Sequence, residues 1–227
     1  MSDTLLCIMS WKGAIEQVWW SWPHYRTSGL PIMGVCAENA NHDWPEDIEY
    51  VWNVGLDTGY STPDLVERWV RIFERFVSDP DLVKYNSLMV VEYDSIFLKP
   101  PPPVPDGVFT HLSGGNVPGP IFKASRFYHC PWGASRYAAG IIAQEGRKLI
   151  NERSFENGSP DFFLGLILDR HPELPLYETG TFSVNGGNWP ERMNEMVEAV
   201  KNGAFFCHGL RTKEELSRAL EAYKSTL

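Results

Sequence analysis

Apolar residues fall along this chain in short continuous runs separated by segments of helical period. Leu5-Leu6-Cys7-Ile8-Met9 is a continuous apolar run and reads as a buried strand. Gly13 to Thr27 follows with helical character and closes at Gly29. Ile32 to Ala37 is a second buried run, introduced by Pro31, and Glu49 to Val54 is a third candidate strand. Thr62-Pro63 is a helix start signal, a capping hydroxyl followed by proline at the first helical position. Leu65, Trp69, Ile72, Phe73 and Phe76 then recur at helical spacing, which predicts an amphipathic helix to about Ser78. Ser87 to Val91 is apolar enough to be a central strand. Strands alternating with helices in this way predict a mostly parallel sheet with helices on both faces, and such sheets bind ligands at the carboxyl ends of their strands.

The middle of the chain is less regular. Pro100 to Pro103 stops any element, and Gly114 to Pro120 reads as a surface loop. Ser135 opens a helix carrying Ile141, Ile142 and Leu149. Ser159-Pro160 opens another with Phe163, Leu164, Ile167 and Leu168 inward. Short strands around Leu176 and Phe182, a helix from about Glu191 and the run Ala204 to Cys207 complete the expected sheet. Thr212 and Glu215 form a capping box for a last helix whose apolar side is Leu216, Leu220 and Tyr223. No internal repeat or boundary divides the 227 residues, so the expectation is a single domain.

Composition narrows the function classes. The formal net charge of −9 argues against a nucleic-acid binder, which needs a concentrated basic face. Arg68, Arg71 and Arg75 lie along the predicted helix and read as a solvated face. No stretch approaches the ~20 apolar residues of a membrane span, and the first residues lack the basic segment of a signal peptide. The four cysteines include no C-x-x-C pair; Cys7, Cys36 and Cys207 sit in apolar runs, and Cys130 falls in a predicted loop beside His129. The expectation is a cytoplasmic protein without disulfides. Trp22-Pro23, Trp44-Pro45, Pro131-Trp132 and Trp189-Pro190 predict ordered loops with aromatic faces able to stack on sugars or bases, although a single tryptophan more often packs.

Two carboxylates one residue apart, directly after a buried strand, can both reach one divalent cation, and oxygen donors suit Mg²⁺ or Mn²⁺. Glu92-Tyr93-Asp94 meets this description. Asp47-Ile48-Glu49 and Asp79-Pro80-Asp81 have the same spacing, but one enters a strand and the other follows an exposed helix. His208, directly after the last apolar run, is a candidate third ligand, and Gly209 beside it lets a phosphate approach the backbone.

The segment Val90-Val91-Glu92-Tyr93-Asp94-Ser95-Ile96-Phe97-Leu98 resembles the strand and D-x-D motif of GT-A fold glycosyltransferases, with Glu92 in place of the first aspartate. The resemblance implies a single GT-A-like domain with a nucleotide-binding half at about 1–99 and an acceptor half at about 100–227. It implies a metal (Mn²⁺ or Mg²⁺) held by Glu92, Asp94 and His208 against the diphosphate of a nucleotide sugar. Arg211 or Lys213 then faces the departing diphosphate. Trp11, Lys12 and Glu38, at the ends of the first two strands, occupy edges where this fold binds the nucleotide. Asp161, in Gly158-Ser159-Pro160-Asp161, is similar to the carboxylate that faces the acceptor and would be the base of an inverting reaction. The expected function is transfer of a sugar to an acceptor hydroxyl. Two rivals remain: a nucleotidyltransferase or nucleotide-sugar hydrolase on the same fold, and a degenerate carbohydrate-binding module. No P-loop, G-x-G-x-x-G, G-x-S-x-G or H-E-x-x-H pattern occurs, which disfavours kinase, dinucleotide, serine-hydrolase and zinc-protease readings.

Overall fold

The computed structural model describes residues 3–36, 43–56, 62–112, 128–152, 162–178, 181–183 and 189–227. Among these residues, ten strands and six helices occur in the order β1 (Thr4–Ser10), α1 (Ile15–Arg26), β2 (Ile32–Cys36), β3 (Tyr50–Asn53), α2 (Thr62–Ser78), β4 (Ser87–Glu92), β5 (Ser95–Phe97), β6 (Val108–Leu112), β7 (Tyr128–Ser135), α3 (Arg136–Asn151), α4 (Phe163–Arg170), β8 (Leu176–Glu178), β9 (Thr181–Ser183), α5 (Trp189–Lys201), β10 (Phe206–His208) and α6 (Lys213–Lys224). Seven strands form one sheet in the order β3-β2-β1-β4-β7-β6-β8. All neighbours run parallel except around β7, which is antiparallel to both β4 and β6. The sheet is thus mixed and mostly parallel within an α/β fold.

The period of two in β1 and β4 explains why both faces are covered. Leu5, Cys7, Met9, Leu88 and Val90 point to one side, where they pack with Trp69, Phe73 and Phe76 of α2, Ile142 and Leu149 of α3 and Phe163 of α4. Leu6, Ile8, Met89 and Val91 point to the other, against Val18, Trp22 and Tyr25 of α1 and Phe97, Phe205 and Phe206. Burying a side chain of leucine size stabilises by about 1.5–3 kcal/mol, so a strand wet on one face could not carry this pattern. Packing over β2 is close enough to demand a glycine: a Cβ on Gly34 would lie 2.8 Å from the Trp44 ring and 2.7 Å from Ile48 Cδ1. Gly34→Ala would cost about 1–3 kcal/mol as the loop carrying Trp44 is pushed away.

Several expectations are corrected. β9 and β10 do not extend the main sheet. They join β5 in a separate three-stranded sheet, β5-β10-β9, whose far side packs on α5 and α6 through Ile96, Leu98, Met196, Cys207 and Ala219. Three residues per strand carry too little pattern to show a partner. The irregular middle contains β6 and the long β7, hidden in sequence by Pro131 and Gly133; Cys130 is therefore a buried strand residue rather than a loop residue. In α6 the buried positions are Ala219 and Ala222, with Leu216, Leu220 and Tyr223 only partly covered. Arg68 is 4% exposed, not solvated, whereas Arg71 and Arg75 pair with Glu67 and Asp79. Trp22, Trp44 and Trp132 are buried, so these tryptophans offer no exposed stacking face.

α2 begins at Thr62 and α3 is capped by the Ser135 hydroxyl, which accepts from the Ala138 N–H, both as the sequence predicts. The Arg136 guanidinium lies over the Phe76 ring and donates to the carbonyls of Phe76, Leu82 and Tyr85. It thereby ties the end of α2 and the entry to β4 to the start of α3. Gly114 to Pro120 and Ser159-Pro160 lie outside the described residues. All four cysteines are free and buried, and among the described residues no helix is long and apolar enough to cross a membrane.

Candidate functional site

β4 runs parallel to β1 and delivers Glu92 to the carboxyl edge of the sheet. Three elements then fix the turn that follows. From α1, the buried Tyr25 hydroxyl donates to the Tyr93 carbonyl at 2.8 Å and the Glu92 carbonyl at 3.3 Å. Burial and the nearby Asp94 carboxylate push the Tyr25 phenol well up, so it stays a neutral donor. From the small sheet, β10 pairs antiparallel with β5 in a register that sets His208 opposite Ser95. Beyond it, the N–H groups of Gly209 and Leu210 both donate to the Asp94 carbonyl, at 3.0 and 2.8 Å. Two consecutive donors can aim at one oxygen because Gly209 takes φ +89°, a left-handed conformation costly for any residue with a Cβ.

These backbone ties bring His208 to the acidic turn across 116 positions of sequence. Its Nε2 lies 3.0 Å from Glu92 Oε2 and 3.2 Å from Asp94 Oδ1. His208 and Asp94 are each 3% exposed, whereas Glu92 is half-buried at the rim. Asp94 Oδ1 has no hydrogen-bond donor of proper geometry among the described residues, since the ring nitrogen nearby is aimed at Glu92. Arg211 follows at the mouth, its Nε 3.8 Å from Asp94 Oδ2 and its side chain 69% exposed. The Gln17 side chain holds the Arg211 carbonyl at 2.8 Å and so fastens this segment to α1.

Cys130 completes the cluster from the other side. The antiparallel register of β4 and β7 sets Val90 opposite Trp132, and two residues further along the strands stand Glu92 and Cys130. One donor atom from each of Glu92, Cys130 and His208 lies within 4.8 Å of the others. In sequence the neighbouring His129 is the one hint of a metal site at Cys130, and a weak one, because the pairing partner of its strand lies tens of residues away.

The charges are mutually supportive. Burial alone would lower the His208 imidazole, but Cys130, Asp94 and Glu92 outweigh it and raise it well above the ordinary histidine value. Burial in turn raises the Cys130 thiol, with His208 opposing.

Other expected site residues fall as follows. Trp11 directly follows β1, its ring folded over Gly13, where a Cβ would lie 2.3 Å from the ring carbons. Lys12 lies in a short 3₁₀ turn after it, with its side chain outside the described residues, as are Glu38 and Asp161 altogether. Lys213 is turned to α1, its Nζ 4.6 Å from the Trp20 ring centroid and 4.0 Å from Glu16, so Arg211 and not Lys213 stands beside the acidic turn. The rival acidic pairs have structural partners: Asp47 and Glu49 hold Arg26, and Asp79 caps a 3₁₀ turn while pairing with Arg75.

Carboxylate oxygens and an imidazole at these spacings suit a divalent cation, and the buried Asp94 oxygen has acceptor capacity to spare. Glu92, Cys130 and His208 bring donor atoms within reach of one ion, and Asp94 stands beside them on the imidazole. Compared with known proteins, the chain matches no family model and no curated protein sequence.

Proposed function

We propose that this protein is a metal-dependent glycosyltransferase that moves a sugar from a nucleotide-diphosphate sugar to an acceptor hydroxyl. The observation that carries the reading is the convergence of Glu92, Asp94 and His208 at the carboxyl edge of the central strand β4, from segments 116 positions apart. That edge is where open α/β sheets gather their ligand-binding groups.

Asp94, Glu92 and His208 would hold Mn²⁺ or Mg²⁺, and a bound cation there neutralises charge on the leaving diphosphate. Arg211 is exposed and adjacent, free to turn from Asp94 toward the diphosphate and stabilise the charge that develops on departure. Tyr25 keeps the turn in place through its two carbonyl contacts, so that the carboxylates are oriented before the donor arrives. Asp161 is the expected base for an inverting reaction.

Calorimetric titration with UDP and with GDP, each with and without Mn²⁺, tests the reading. The wild-type protein should bind one of the two nucleotides in a Mn²⁺-dependent way, and Asp94→Ala should abolish that binding with the fold intact. Unchanged nucleotide affinity in the variant, or no Mn²⁺-dependent binding in the wild type, would sink it.

A further inference from the structure

Cys130 has no task in sugar transfer, yet it shares the cluster. Donor atoms bound tetrahedrally to one ion sit roughly 3.3–3.8 Å apart when the bonds are about 2.0–2.3 Å. The Glu92, Cys130 and His208 donors already lie within 4.8 Å of one another, and His208 Nε2 is 3.2 Å from Asp94 Oδ1. Small side-chain rotations close the remaining gap. A narrow cleft bordered by Met9, Trp69 and Trp132 reaches Glu92, Cys130 and His208. Among the described residues no other group of histidine, cysteine and carboxylate side chains has this spacing. Cys207, next to His208 in sequence, points the other way and donates to Met196 Sδ.

The donor chemistry selects the ion. Mg²⁺ and Mn²⁺ gain little from sulfur, whereas Zn²⁺ and Co²⁺ bind sulfur and imidazole strongly, and Zn²⁺ stands above Mn²⁺ in affinity for such mixed sites. We propose that Glu92, Cys130 and His208 form a three-residue site for a thiophilic divalent cation, Zn²⁺. Because Glu92 and His208 are also among the side chains that would hold Mn²⁺, Zn²⁺ excludes the harder ion from the same place. The site uses residues of the transferase reading but needs no nucleotide and no sugar.

The test is optical and uses the full chain freed of metal. Co²⁺ should produce a near-ultraviolet thiolate-to-cobalt charge-transfer band, and one equivalent of Zn²⁺ should remove it. Cys130→Ser should abolish the band and weaken Zn²⁺ by at least about tenfold, a loss typical of an altered metal shell, while changing Mn²⁺ affinity far less. Absence of the band in the wild type, its persistence in Cys130→Ser, or equal losses of Zn²⁺ and Mn²⁺ overturns the proposal. If Cys130→Ser does not fold, thiol alkylation of the wild type decides, because Zn²⁺ should protect the Cys130 peptide and leave that of Cys207 unchanged; equal labelling with and without Zn²⁺ overturns the proposal. A protein that binds Zn²⁺ but no nucleotide keeps this site and loses the transferase reading; the reverse result does the opposite.

Discussion

Between α2 and α3, the Arg147 guanidinium donates to both oxygens of Glu67, at 3.0 and 2.7 Å, and to both of Glu74, at 2.9 and 2.8 Å. At the carboxyl edge of β4, two carboxylates share a single imidazole nitrogen, which bonds Glu92 at 3.0 Å and stands 3.2 Å from the buried Asp94 Oδ1. Both clusters join distant parts of the chain, and both are acidic groups answered by a cation. They differ in saturation. The first answers all four carboxylate oxygens from one planar guanidinium. The second keeps acceptor capacity in a place where backbone contacts from β5, β10 and α1 have fixed the geometry. Unsatisfied acceptors held at a sheet edge mark a site, and satisfied ones mark a clamp.

The strongest way to break this contrast is to exchange the two losses. Asp94→Ala should reduce Mn²⁺-dependent UDP or GDP affinity at least about 100-fold, roughly 2.7 kcal/mol, while the melting temperature moves little. Arg147→Met should do the reverse. It leaves Glu74 without the Arg147 cation and Glu67 with Arg71 alone, and because both ends are partly exposed the loss should be about 2 kcal/mol of folding stability, a fall in melting temperature of about 4–8 °C, with nucleotide affinity unchanged. If Asp94→Ala destabilises as much as Arg147→Met and both still bind nucleotide, the carboxyl-edge cluster is also a clamp.

Gly209→Ala sharpens the comparison by touching fold and site together. A Cβ at φ +89° should cost about 1 kcal/mol of stability and move the two N–H groups that hold the Asp94 carbonyl. Chemical denaturation and calorimetry on this variant should show both losses; intact nucleotide affinity would show that the turn is held by Tyr25 alone.

The smallest effect is in pH. Burial tends to raise the Glu67 carboxyl, but hydrogen bonds from Arg147 and Arg71 outweigh it and hold it below the ordinary glutamate range. Its contribution is therefore full above that ordinary range and fades as pH falls through the depressed value. Urea denaturation at neutral and acid pH should show the wild type losing more stability on acidification than Arg147→Met does. Equal losses would mean that the pairing does not distinguish folded from unfolded glutamate.

The parts of this molecule legible in sequence are those whose cause is local. The bounds of α2, the Ser135 cap and the capping box of α6, where Thr212 accepts from Glu215 N and Glu215 accepts from Thr212 N, each rest on residues within one or two turns of each other. The runs that became β1, β2 and β4 were readable because burial on both faces leaves no polar positions. The acidic turn was readable too, since Glu92 and Asp94 follow such a run directly.

What only the tertiary structure decided is which distant segments meet. Continuous apolar runs do not encode partners, and a three-residue strand such as β5 or β10 carries almost no pattern of its own. Thus the second sheet, the reversal of β7 and the placement of Cys130 beside Glu92 come from packing and register. So does the choice of Arg211 over Lys213 at the turn, and the burial of Arg68 in a helix whose spacing reads as solvated. The sequence by itself determined the strands, the helices and a pair of carboxylates at the end of one strand. His208 was already a candidate beside them; the fold set its imidazole against both carboxylates and added the thiol of Cys130, because a register between strands is a long-range energy minimum that no short stretch of chain contains.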